Sequence, residues 1–123
     1  MSKILIAEDD AQIASMYQFK LEKTGHQVKV AHNGEDALQL TEAFMPDLIL
    51  LDLRMPLMSG DEMLEKLRTT DWGSEIRVII LTNISKDEAP SKLRFLNVDR
   101  YVVKAHNTPS EVVKVVDEVL SGK

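Results

Sequence analysis

No cysteine occurs anywhere in the chain. Disulfide bridges and thiolate metal sites are therefore excluded, and the absence is compatible with a cytosolic protein. Long apolar runs are missing too. None approaches the roughly 18 residues of a membrane span. The N-terminal run Ile4-Leu5-Ile6-Ala7 stops at acids and is too short for a secretory core. A cytoplasmic location without a membrane partner is the expectation. A basic stripe is also absent: the formal net charge is −5, with Lys and Arg scattered among acids. That argues against direct nucleic-acid binding. Five glycines and four prolines in 123 residues leave no low-complexity stretch, repeat or linker, so residues 1–123 are read as one domain.

What is present is a set of short apolar runs, each ending in a chemically capable residue. Ile4-Leu5-Ile6-Ala7 runs into Glu8-Asp9-Asp10, and Leu48-Ile49-Leu50-Leu51 into Asp52. Val78-Ile79-Ile80-Leu81 runs into Thr82, and Tyr101-Val102-Val103 into Lys104. Such runs suit strands buried on both faces, whereas Gln27-Val28-Lys29-Val30-Ala31 alternates like an edge strand. Helical stripes separate the strands. They are Ile13, Met16, Tyr17 and Leu21, then Ala37, Leu38, Thr41 and Phe44, then Met63, Leu64 and Leu67, and finally Val112, Val113, Val116, Val119 and Leu120. Ser59–Glu62 and Thr108–Glu111 have the pattern of capping boxes. Ser85–Glu88 has it as well, but Pro90 disfavours a helix through that position. The spacing therefore predicts a loop over 83–89 and a short helix from about Pro90 to Leu96.

Alternating strands and helices predict a doubly wound α/β fold with a five-stranded parallel sheet in the order 2-1-3-4-5. Glu8, Asp9, Asp52, Thr82 and Lys104 then meet at the sheet edge where such folds bind ligands. Clustered carboxylates repel one another, and at least one pKa should rise. A hard divalent cation such as Mg²⁺ and the Lys104 ammonium relieve that repulsion. Asp52 at a strand end is placed as a nucleophile for phosphoryl transfer, with Mg²⁺ and Lys104 neutralising the moving oxygens and the Thr82 hydroxyl donating to one of them.

The segments Leu5-Ile6-Ala7-Glu8-Asp9-Asp10, Asp52-Leu53-Arg54-Met55-Pro56, Ser59-Gly60, Leu81-Thr82 and Tyr101-Val102-Val103-Lys104 together resemble the receiver domain of two-component response regulators, chemotaxis-regulator-like and flavodoxin-like (βα)5 in fold. The resemblance implies that Asp52 is the phosphoacceptor, taking its phosphoryl group from a sensor histidine kinase or phosphotransfer protein. It implies that Glu8, Asp9, Asp52 and the backbone carbonyl of Arg54 hold Mg²⁺, that Lys104 binds the phosphate, and that Thr82 and Tyr101 form the switch. It implies a signalling switch with self-catalysed phosphoryl transfer and hydrolysis rather than a turnover enzyme. Output is expected through a downstream protein on the face of the fourth helix, fifth strand and fifth helix, in a monomer or a phosphorylation-dependent dimer. That face includes Lys92, Phe95, Arg100 and Tyr101.

The chain departs from the family pattern at two neighbours of the site. Ala105 replaces the usual proline after the lysine, and a trans Lys104–Ala105 bond is expected because cis costs about 2.5–4 kcal/mol before a non-proline. Asn83 replaces a small residue after the threonine, where its amide could bond the phosphoryl group or narrow access to it. Arg54 and Ile84, two residues beyond Asp52 and Thr82, are expected to shield the site and prolong the phosphorylated state. Other readings are a phosphorylation-independent interaction module, a small Mg²⁺-dependent phosphohydrolase and a flavodoxin-like carrier. Arg54 stands where a hydrolase would want a second carboxylate, and the acids after the first strand repel a flavin phosphate. For Asp10 a capping role is preferred. His26, His32 and His106 are scattered and are rejected as metal ligands.

Overall fold

A computed structural model describes residues 2–122. Its strands are β1 (Lys3–Ala7), β2 (Gln27–Ala31), β3 (Leu48–Leu51), β4 (Arg77–Thr82) and β5 (Arg100–Val103). The α-helices are α1 (Ala11–Lys23), α2 (Gly34–Phe44), α3 (Gly60–Arg68) and α4 (Pro109–Leu120). The sheet is parallel throughout, in the expected order β2-β1-β3-β4-β5. Its register fixes the site: Ala7 lies beside Leu51, so Glu8 and Asp52 leave the sheet together. Thr82 lies beside Val103, which brings Lys104 to the same edge.

The strand runs are apolar on both faces because both faces are covered. Ile4, Ile6, Leu48, Leu50, Ile79 and Leu81 pack under α1 and α4. Leu5, Ala7, Ile49, Leu51, Val78 and Ile80 pack under α2 and α3. The β-branched α4 buries Val112, Val116 and Val119. Its Thr108–Glu111 capping box is complete in both directions. Only half of the Ser59 box forms. Ser59 Oγ accepts from the Glu62 amide, but the Glu62 carboxylate takes the Ser59 hydroxyl proton instead of reaching the backbone.

Two other expectations are corrected. Met16 does not join the core stripe of α1: it is exposed, and Ala14, Tyr17 and Leu21 make the buried face. Residue 16 lies a full helical step of about 100° from Tyr17, and the small Ala14 gave a weaker apolar signal than Met. The fourth helical segment starts and stops about where Pro90 dictates, but it winds as 3₁₀ over Ser91–Phe95. A second 3₁₀ turn, Lys86–Glu88, interrupts the expected loop, and Ser85 makes no side-chain capping bond to it. So short a segment pinned behind a proline cannot complete the α-helical ladder.

Arg68 ties this irregular region down. Its Nε donates to the Leu96 carbonyl at 2.8 Å and its Nη2 to that of Asn97 at 3.0 Å. Its Nη1 serves the carbonyls of Gly73, Ser74 and Ile76. One planar fork thus joins the end of α3, the approach to β4 and the exit from the 3₁₀ segment. A lysine offers a point charge without that fork. Arg68→Lys is expected to lower the unfolding free energy by about 2 kcal/mol in urea titrations, because half-buried carbonyls lose their donors. An unchanged midpoint would refute this role.

Candidate functional site

Glu8 directly follows β1 and is 4% exposed, Asp52 directly follows β3 at 7%, and Thr82 closes β4 at 1%. Lys104 follows β5, and its Nζ bonds both Glu8 Oε1 and Asp52 Oδ2, the latter at 3.1 Å. The four residues line one crevice of about 390 Å³ together with exposed Asp9 and Arg54. Carboxylate oxygens of Glu8, Asp9 and Asp52 lie within 4.8 Å of one another. This all-oxygen set fits a hard divalent cation, which binds one or two carboxylates directly and keeps waters for the rest. The sequence-predicted acids, threonine and lysine are thus brought together.

The second oxygen of each buried acid is held by a backbone amide. Glu8 Oε2 accepts the Asp10 amide at 3.0 Å, and Asp52 Oδ1 accepts the Arg54 amide at 3.4 Å. Asp10 caps α1, accepting from the Gln12 and Ile13 amides, as expected. The loop after Asp52 folds back so closely that a Cβ at Gly60 would lie 2.0 Å from the Asp52 carbonyl oxygen. Glycine is required there because backbone, not a movable side chain, fills the space.

Electrostatics follow from burial. Desolvation raises the Glu8 pKa, and the Asp52 charge adds to it, against the opposing pull of Lys104 and the Asp10 amide. For Lys104, burial acts to lower the pKa, but the Glu8 and Asp52 carboxylates outweigh it and hold the value above that of a free lysine. The ammonium is therefore charged at neutral pH and stands between the two buried acids. Thr82 Oγ1 accepts from the Ile84 amide at 3.4 Å, which leaves its proton free to turn into the crevice.

Tyr101 is not brought into this crevice. Half-buried, it packs against the α3 side of the core and donates from its hydroxyl to the Ile84 carbonyl at 2.7 Å. It lines a larger groove of about 1020 Å³ beside the Ser91–Phe95 turn. Phe95 in that groove is 83% exposed. Lys92 on the same turn is engaged by Asp61 and Glu65 of α3. Sequence reasoning missed two contacts. His32 Nδ1 lies 3.0 Å from the Glu8 carbonyl oxygen, and Asn83 Oδ1 accepts the Ala105 amide at 3.1 Å. Both Asn83 and Ala105 stood out as departures, but nothing in their spacing says that they touch. The Lys104–Ala105 bond is trans, since no described peptide bond is cis.

A family model for the response regulator receiver domain matches residues 4–117. The chain is 35% identical over 120 residues to the alkaline phosphatase synthesis transcriptional regulatory protein PhoP of Bacillus subtilis, covering 96% of this chain and 48% of that protein. It is 40% identical over 103 residues to the uncharacterized transcriptional regulatory protein YkoG of the same organism, covering 82% and 43%. The chain thus spans less than half the length of these relatives. Among solved structures, the chemotaxis protein CheY4 of Vibrio cholerae superposes with a TM-score of 0.88 at 25% identity, covering 97% of this chain and 98% of that one. The receiver domain of the Francisella response regulator 1452 gives 0.86 at 30%, covering 98% of both.

The buried ion triad generates a test that needs no reaction. Lys104→Met strands two buried carboxylates and is expected to cost about 3 kcal/mol of stability in metal-free buffer. Millimolar Mg²⁺ should restore part of that loss, because a cation then replaces the missing charge. Equal stability of variant and wild type without metal would show that Lys104 is not the counter-charge.

Proposed function

The chain belongs to the response regulator receiver family of two-component systems, and on that premise we propose that Asp52 is its phosphoacceptor and Lys104 the cation that receives the phosphoryl oxygens. The observation that carries this reading is the Lys104 ammonium bonded to Asp52 inside a crevice that also holds Glu8, Asp9 and Thr82. The phosphodonor is the phosphohistidine of a sensor kinase or phosphotransfer protein. An Asp52 oxygen attacks phosphorus, the P–N bond breaks, and its electron pair leaves with the imidazole. Lys104 then exchanges its carboxylate contact for a phosphoryl oxygen, and the Thr82 hydroxyl donates to another. Glu8, Asp9, Asp52 and the Arg54 carbonyl would hold Mg²⁺, which supplies charge neutralisation for the transferring group. The product is a signalling state rather than a released compound.

The switch reading has a structural basis in Ile84. Its amide donates to Thr82 Oγ1 and its carbonyl accepts from Tyr101. If Thr82 turns toward a phosphoryl group, it releases the Ile84 amide and loosens the loop on which the Tyr101 hydroxyl rests. The groove beside Tyr101 and exposed Phe95 would carry the change to a downstream protein. Exposed Arg54 and half-buried Ile84 line the same crevice, which supports a shielded and long-lived phosphoryl group.

Intact mass after treatment with a small phosphodonor tests the acceptor. With Mg²⁺, wild type should gain one labile phosphoryl group, and Asp52→Asn should gain none. No gain in wild type would favour an interaction module that does not take phosphate. Asp9→Asn should weaken Mg²⁺ binding in calorimetry at least about tenfold while keeping the fold, since Asp9 is an exposed acid whose charge matters chiefly to the metal. Unchanged Mg²⁺ affinity would remove Asp9 from the metal set.

A further inference from the structure

The 3₁₀ turn Lys104–His106 begins without any side-chain cap of its own. Its first amides are donors that the turn itself cannot satisfy. Asn107 deals with the carbonyl side: its Nδ2 donates to the Val103 carbonyl at 2.9 Å and its backbone amide to that of Lys104 at 3.3 Å. The Ala105 amide is served from a different strand end, by Asn83 Oδ1. A backbone N–H can only donate, so the carboxamide orientation of Asn83 is fixed by this bond. The Ala105 amide lies in the peptide plane that joins it to Lys104. Anchoring that plane fixes the backbone from which the Lys104 side chain reaches Asp52 and Glu8.

Asn83 is also the residue next to Thr82, and it lines the crevice with both. One side chain therefore links the two loops that carry the hydroxyl and the ammonium. We infer that Asn83 is a positioning residue, a strut that holds the Lys104–Ala105 peptide plane and so sets Lys104 against Asp52. A proline at position 105 would offer no amide proton, and the strut would have nothing to hold. Asn83 and Ala105 thus form one device: the amide that proline would lack becomes the anchor point. The strut couples the ends of β4 and β5, so a displacement of Thr82 is transmitted to Lys104 through it.

The catalytic part of this inference rests on Asp52 being the phosphoacceptor, and the test separates the two. Phosphorylation of the full chain by a small phosphodonor at saturating Mg²⁺ would be followed by intact mass in wild type, N83A, A105P and the double variant. N83A should lower the maximal rate about fivefold with the donor half-saturation unchanged, because misplacement of a charge-stabilising group acts on the chemical step. In the A105P background the same substitution should change the rate less than about twofold, because the bond it removes is already absent. Equal losses in both backgrounds would mean that Asn83 acts directly on the phosphoryl group and would overturn the strut. No loss in either would overturn it as well. The second measurement needs no phosphate: amide exchange by NMR should be at least about tenfold faster at Ala105 in N83A, with Val102 in β5 unchanged. If wild type takes no phosphoryl group, the acceptor reading fails, and the strut then stands or falls on this exchange rate. The exchange measurement also decides the matter if A105P does not fold.

Discussion

The constraint on which the rest depends is the buried contact of one ammonium with two carboxylates. Lys104 meets Glu8 across 96 positions of sequence and Asp52 across 52. Desolvating three charges is costly, and the cost is offset only when geometry is good and the remaining lone pairs are satisfied. The fold meets both conditions. Parallel register delivers the ends of β1 and β3 side by side, β5 supplies the lysine, and the amides of Asp10 and Arg54 take the outward oxygens. Among the described residues no buried side-chain polar atom is left without a partner. The triad is therefore both a structural join of strand ends and the charged floor of the crevice.

Around this floor, the second layer is built from backbone contacts rather than from more charge. Gly60 lets the loop after Asp52 close on the Asp52 carbonyl, and Gly34 likewise lets α2 approach the Met58 carbonyl. On the other side, Ile84 is held at both ends of its own residue, by Thr82 through the amide and by Tyr101 through the carbonyl. Because the following segment is two short 3₁₀ turns rather than an α-helix, few ladder bonds resist its rearrangement. Arg68 anchors its far end. The Lys92 ion pairs to Asp61 and Glu65 hold its middle, and the bonds of Thr82 and Tyr101 to Ile84 and Ser85 hold its near end, so its attachment rests on side-chain contacts rather than on a helical ladder.

The sheet was legible because its apolar runs are short, β-rich and terminated by polar residues, and period and length alone separate them from helices. The crevice was legible because parallel topology obliges Glu8, Asp52, Thr82 and Lys104 to share an edge. Features that depend on local energetic competition were not. Ala14 and Met16 are two residues apart, about 200° around the helix, and apolar pattern favours the larger side chain although the smaller one is buried. Ser59 and Glu62 have the letters of a capping box, yet the hydroxyl proton and the backbone amide compete for the same carboxylate. The Arg68 fork and the Asn83–Ala105 bond join residues whose separation carries no periodic signal. Both were invisible for the same reason: each satisfies irregular backbone, and irregular backbone announces its needs only in three dimensions.

The charge balance of the crevice explains why such a site can rest in one state and respond to another. The carboxylates of Glu8, Asp9 and Asp52 cluster at the Lys104 ammonium, and Asp10 and Glu88 outnumber Arg54 on the rest of the lining, so the crevice favours an added cation. An incoming phosphoryl group is anionic and would be repelled by the same acids. On the proposed reading the two requirements are complementary: a divalent cation held by Glu8, Asp9 and Asp52 would supply the missing positive charge and leave Lys104 available to the new oxygens. Burial sharpens this exchange, because a charge that loses its partner in a desolvated crevice must find another. On the proposed reading, Lys104 is the group whose partners change between the two states. If so, whatever fixes its backbone, such as the proposed Asn83 strut, would set how far the ammonium can follow the phosphoryl group.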